Sequence, residues 1–278
     1  MDVPAPTTPF HRAPSRLLAE WYSRERTLAL TALVALACVP LLAALALHDT
    51  RTIGGIDVWI KPMKFHVAIA IYLGTLAWYA GWIDRRWTRR PWYRLYVAVI
   101  VASVAIELWW LSAAAAAGEP SHFNREHPLF APLYPLMGVL AVTLTSATLF
   151  YAALIARHRL AALAPSLRVA LVGGLVASFV LTVHIAGVLA SMDSHWIGGT
   201  RSDATGLPVL GWSRDGGDLR VAHFFALHAM HFVPLAVWLA SPFLPFVRSR
   251  VGAVSVVLGY ALFVVATYRQ ALAGEPFL

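Results

Sequence analysis

Seven apolar runs of about 20 residues constrain this chain more than any other feature: roughly 27–48, 62–83, 94–117, 134–156, 169–191, 223–247 and 251–270. That length matches a helix crossing a ~30 Å hydrocarbon core at ~1.5 Å per residue. Lipid offers no hydrogen-bond partners, so each run must satisfy its own backbone, which a helix does. Only 13% of the residues are charged, against about 25% in an ordinary soluble domain. The expected fold is all-α, a polytopic integral membrane protein whose seven transmembrane helices occupy residues 27–278. Residues 1–26 are expected to form a cytoplasmic tail. In it, Leu17, Leu18, Trp21 and Tyr22 can share one face of an interfacial amphipathic helix opposite Arg16, Glu20 and Arg24.

The net charge of +8 is not spread evenly. The tail and the second, fourth and sixth connections hold 14 of the 22 Lys and Arg, beside only Asp2, Glu20, Glu25 and Asp84. Arg85, Arg86, Arg89, Arg90 and Arg94 form the densest group. The other eight bases share their side with ten acids, counting Glu107. The positive-inside rule then predicts a cytoplasmic N-terminus and an extracytoplasmic C-terminus, in a plasma (inner) membrane of bacterial type. The alternation accounts for the basicity without nucleic acid. Cys38 is alone, so a disulfide framework, a CxxC and a CxxCH haem attachment are all excluded. Ala44-Leu45-Ala46 has the form of a signal-peptidase site, but the apolar run before it exceeds a signal h-region, and a retained helix is expected.

Histidine supplies the chemistry. Of eleven histidines, only His11 and His158 fall on the predicted cytoplasmic side. His223, His228 and His231 stand where the sixth span begins, behind Asp218, a residue type suited to capping a helix N-terminus. Ionisable groups within a membrane segment are costly and mark function by default. His66 in the second span, Glu107 in the third and His184 in the fifth reach similar depths, so an extracytoplasmic, histidine-rich pocket is expected. His228 and His231, three residues apart on one helix, can address one centre. His184, His228 and His231, with His66 or Glu107 as a fourth, are the expected ligands of iron, copper or zinc, or two histidines the axial ligands of a haem b.

Glu107 and His66 are the expected acid–base groups. Lys61 and Lys64 are the only lysines among twenty arginines, on the first turn of a helix opened by Pro62. With Arg269, Trp110 and Asp193 they are expected to hold the substrate, an anionic quinone or lipid-like small molecule, under the long connection 193–222. His122, His127 and His195 lie in outer connections with no assigned role. A Walker motif, a G-x-G-x-x-G and a G-x-S-x-G are absent. The expected activity is that of a membrane-embedded enzyme, an oxidoreductase with a His-held metal or haem. Two alternatives use the same residues: a cofactor-free transporter or lipid- or quinone-binding protein, and a zinc-dependent intramembrane hydrolase. The many Ala and Gly positions permit close helix approach and hence a homo-oligomer.

Overall fold

The computed structural model describes residues 14–124, 127–158 and 163–278. The tail expected before residue 14 lies outside them, as do Arg125, Glu126 and Arg159. The chain is all-α: α1 (Pro14–Arg24), α2 (Arg26–His48), α3 (Ile60–Tyr79), the short α4 (Arg85–Thr88), α5 (Pro91–Ala117), α6 (Phe130–Arg157), α7 (Pro165–Ser191), α8 (Leu219–Leu227), α9 (Ala229–Ala240) and α10 (Arg250–Leu272). Six helical segments are long and apolar enough to cross a membrane, and α8 with α9 makes a seventh if the bent pair is one span. Their exposed surface is rich in large apolar side chains such as Leu33, Val34, Leu41, Val139 and Leu262, as lipid contact requires.

α7 packs against α6, α8, α9 and α10, while α3 packs against α2 and α5. The largest buried cluster lies among α2, α3, α5, α6 and α7, with Leu28, Leu73, Leu76, Ile100, Tyr151 and Leu175 all but inaccessible. Hydroxyls tie the two halves together. Tyr72 donates to Leu144 O of α6 at 2.9 Å, and Tyr79 to Met230 O of α9 at 2.7 Å.

Two corrections concern the sixth and second runs. The sixth is not one helix over 223–247: it starts at Leu219, bends by 59° at His228 and ends at Ala240. Pro234 has no N–H, so Met230 O loses its i+4 donor. Phe225 O and Leu227 O, at the bend, accept from Tyr260 and Ser178 at 2.7 Å each. With Tyr79 on Met230 O, hydroxyls from α3, α7 and α10 thus support the interrupted ladder, the condition for irregular backbone in an apolar bundle. α7 comes close enough here that a Cβ on Gly174 would stand 2.8 Å from Ala229 O. In the second run, α3 opens at Ile60, which puts Pro62 at its third position rather than its first. No intrahelical bond is lost there, since first-turn N–H groups have no helical acceptor.

At one end of the bundle, the loop face, the connections 49–59, 118–124 and 192–218 meet the C-terminus. There β1 (Thr52–Ile53) pairs with β2 (Ile56–Asp57), and β3 (Trp196–Ile197) with β4 (Gly217–Asp218), both antiparallel. The long connection is anchored at several points. Asp203 N donates to Gly54 O at 3.0 Å, and a Cβ on Gly217 would overlap Ala271 O at the end of α10. The opposite end, the arginine face, carries α1, α4 and the turn that follows α9.

Candidate functional site

Asp218 does cap α8: its carboxylate accepts from Arg220 N at 3.0 Å. The same carboxylate takes Arg220 Nε and Nη2 in a fork, at 3.0 and 2.6 Å. Arg220 Nη1 stands 2.8 Å from Asp203 Oδ1, and Nη2 also donates to Gly211 O at 2.7 Å. Paired charge-assisted bonds of this kind fix orientation as well as energy. Arg220 thus joins the start of α8 to the middle of the 192–218 connection, and the guanidinium lies 5.6 Å from the Trp196 ring centre. Burial works against ionisation of Asp203, but the facing His195 and Arg220 outweigh it and hold the carboxyl below its usual range. In Asp215 the hydrogen bonds from Thr200 do the same.

Beneath this cover, Lys61 Nζ stands 3.2 Å from His122 Nδ1, and Lys64 Nζ donates to Leu210 O at 3.3 Å. An ammonium only donates, so His122 Nδ1 is the acceptor, and its proton sits on Nε2. Ser121 Oγ lies 3.0 Å from the same nitrogen. Burial pushes His122 well below its ordinary value of 6.5, and the nearby Lys61, His223 and His195 push it in the same direction. Burial also lowers His195, against the opposing pull of Asp203. The His195 ring centre is 3.9 Å from that of Trp196 and 6.1 Å from that of Phe123. His195 Nε2 and Trp196 Nε1 are both buried without a hydrogen-bond partner. At 3.9 Å, Asp203 Oδ1 is too far from His195 Nε2 to supply one. Buried polar atoms left unpaired mark a place for a ligand or an ordered water.

From His122 a row of imidazoles runs into the bundle. His223 interacts electrostatically with both His122 and His228. His228 stacks on Phe224 at 4.1 Å and lies 5.1 Å from His231, centre to centre. His228 Nδ1 is 3.0 Å from Phe224 O, which can only accept, so its Nε2 is the bare nitrogen. His231 Nε2 is 2.9 Å from Thr75 Oγ1, whose single proton goes to Ile71 O at 2.8 Å. His231 is then the donor to Thr75, and its buried Nδ1 is bare and unpartnered. Thr75 is fifteen residues into α3, so the row ends roughly 22 Å along that helix from the loop face.

The other expected site residues divide. His66 is buried, with Nδ1 2.9 Å from Pro62 O of its own helix. Glu107 is buried, and its Oε1 finds no partner. Trp110 is also buried, but its N–H is spent on Ser121 O at 3.0 Å, so it positions the 118–124 loop instead of addressing a ligand. Asp193 and Arg269 are exposed at the ends of α7 and α10. The metal set His184, His228, His231 and His66 is not assembled. His184 is exposed, edge-on to Tyr268 at 5.7 Å, and among the described residues no three His, Cys, Asp or Glu converge on one ion. The reason is rotational. Ser178, Thr182 and Ile185 form the buried stripe of α7, and at ~100° per residue His184 points about 120° away from Ser178.

His122, His195, Trp196, Asp203, Arg220 and Thr75 are the residues the linear pattern did not single out. Comparison with protein-family models, with curated proteins and with solved structures finds no match to this chain in any of the three.

Proposed function

We propose that the protein is a multi-pass membrane protein that binds an anionic, partly apolar small molecule at the loop face and exchanges protons with it along the histidine row. The single observation carrying this reading is the set of histidines between the Lys61–His122 contact and the His231–Thr75 bond, in which His228 and His231 stand 5.1 Å apart, centre to centre, and His223 lies within electrostatic range of His122 and His228. Lys61 and Lys64 supply the charge for an acid's conjugate base, and the unpartnered His195 Nε2 and Trp196 Nε1 supply polar contacts beside an aromatic wall. A ligand that arrives protonated leaves its proton on an imidazole and its anion on the lysines. The bare nitrogens of His228 and His231 are acceptors for the next transfers. The positive-inside asymmetry favours a loop face outside a plasma membrane. Quinols and lipid-like carboxylic acids are the ligand classes that combine an acidic head with an apolar body.

The test is proton release on ligand addition to the purified protein in weakly buffered detergent, with a short-chain quinol, which arrives protonated, as the probe of proton release and decanoate, already ionised at neutral pH, as a probe of binding alone. Wild type is expected to bind with a pH change, Lys61→Met to lose affinity, and His228→Gln to bind without the pH change. Binding of neither probe, or proton release unaffected by His228→Gln, sinks the reading. The adjoining His228 and His231 keep the metalloenzyme reading as the second. Near-stoichiometric iron or copper in elemental analysis of the same sample would replace the first reading with it.

A further inference from the structure

The arginine face holds a cleft of about 330 Å³ between the α1–α2 junction and the α4–α5 junction. Arg24, Arg26, Thr27, Thr88, Tyr93 and Arg94 line it, together with one acid, Glu25. Three guanidiniums against one carboxylate leave an excess of positive charge in a concave site, and they are not equally committed. Arg24 is fixed, donating to Trp78 O at 2.8 Å and pairing with Glu20 at 2.7 Å. Arg26 gives only its Nε, to Tyr22 OH at 2.6 Å, which leaves both terminal nitrogens available. Arg94 is exposed, and its side chain makes no hydrogen bond or ion pair among the described residues. Glu25 caps α2 through Thr27 N at 3.2 Å, and its carboxylate also faces Tyr93 across the cleft, so it offsets one of the three guanidiniums.

The surroundings identify the ligand. The cleft sits where α2 and α5, both long enough to cross a membrane, begin. Directly along those helices Leu30 and Leu95 are exposed, the latter by 67%, and Trp92 stands open beside them. An amphipathic α1 forms one wall. A ligand filling the cleft therefore meets guanidiniums and a threonine hydroxyl at its head, and lipid-facing leucines along its body. We propose that this cleft binds the phosphate of an acidic phospholipid, with the acyl chains laid along α2 and α5. Guanidiniums suit the task because their planar fork matches phosphate oxygens. This site is separate from the loop face and does not depend on the proposed function.

The experiment is a lipid titration of the full-length protein in detergent, read as thermal stabilisation, with phosphatidylglycerol, phosphatidylcholine and inorganic phosphate as probes. Phosphatidylglycerol is expected to stabilise saturably, and the other two not. Arg94→Gln should weaken its apparent affinity about fivefold and Arg26→Gln with Arg94→Gln about twenty-five-fold. Arg94→Lys should retain most of the binding. Arg89→Gln, a charge on the same face outside the cleft, should leave it unchanged. Equal losses from Arg89→Gln and Arg94→Gln would reduce the site to diffuse surface charge and overturn the proposal. Equal stabilisation by phosphatidylcholine would also overturn it, and competition by millimolar phosphate would reassign the cleft to the free ion.

Discussion

Met230 shows how one residue can set a requirement that a distant one must meet. Pro234 takes away its i+4 donor, and Tyr79 from α3 supplies a hydroxyl in place. Tyr79→Phe should therefore lower stability by about 1–3 kcal/mol, the cost of a buried acceptor left unmade. In a Pro234→Ala background the penalty should shrink, because the N–H restored by that substitution can serve Met230 O; a double-mutant cycle of melting temperatures measures the difference. His122 and His195 bring a second residue-scale expectation. Both bind protons less readily in the fold than in the unfolded chain, where imidazole titrates near 6.5. Between the folded values and about 6.5 the unfolded chain holds more protons, so stability rises with pH across that window. Their contribution is complete above about pH 6.5 and lost on acidification. Asp203 and Asp215 add a loss at lower pH, below about 3.9, as they are protonated through their depressed folded values. Deuterium uptake in residues 196–218, corrected for intrinsic exchange, should rise from about pH 7.5 to 5.5, and His122→Gln should flatten the rise. Equal uptake at both pH values would refute this account.

At the scale of the element, α7 carries two glycines with opposite environments. A Cβ on Gly174 would press on Ala229 O at 2.8 Å and on Pro234 Cδ at 3.3 Å, whereas one on Gly187 would meet open space. Gly174→Ala should cost about 1–3 kcal/mol by forcing α7 off the α8–α9 bend. Gly187→Ala should be neutral or stabilising by up to about 1 kcal/mol through helix propensity alone. Thermal melts of the two variants side by side check the pair, and equal effects would deny the close approach. The bend itself was only half legible. Pro234 and the histidines are visible in the chain, but a proline kinks some helices and not others. Which carbonyls it frees for which hydroxyls depends on Ser178, Tyr79 and Tyr260, residues far along the chain that no local pattern links.

For the whole molecule, the charge asymmetry makes a test of orientation. In a Cys38→Ala background, a cysteine at Thr205 on the loop face should react with a membrane-impermeant thiol reagent in intact cells. One at Arg89 should react only after permeabilisation. The reverse pattern would invert the protein and put the histidine row on the cytoplasmic side. The two faces differ in more than charge. The arginine face is built from exposed guanidiniums and aromatic side chains such as Trp87 and Trp92, while the loop face holds Lys61, His122 and His195 half-buried under the 192–218 connection.

The sequence by itself determined an all-α chain with six or seven helices long and apolar enough to cross a membrane, and the separation of arginine-rich from histidine-rich connections along it. Apolar runs of membrane length permit little else once every backbone group must be bonded internally. It also singled out the ionisable residues that such a chain must accommodate, since His66, Glu107, Lys61 and Lys64 stand out against an apolar background. Tertiary structure decided which of them meet. A rotation of about 120° about α7 took His184 away from the row. A loop histidine with no distinguishing local signal, His122, became the partner of Lys61 because the 118–124 loop folds back over α3. Helix rotation and loop closure are settled by packing across the bundle, and the spacing of residues along the chain does not encode them.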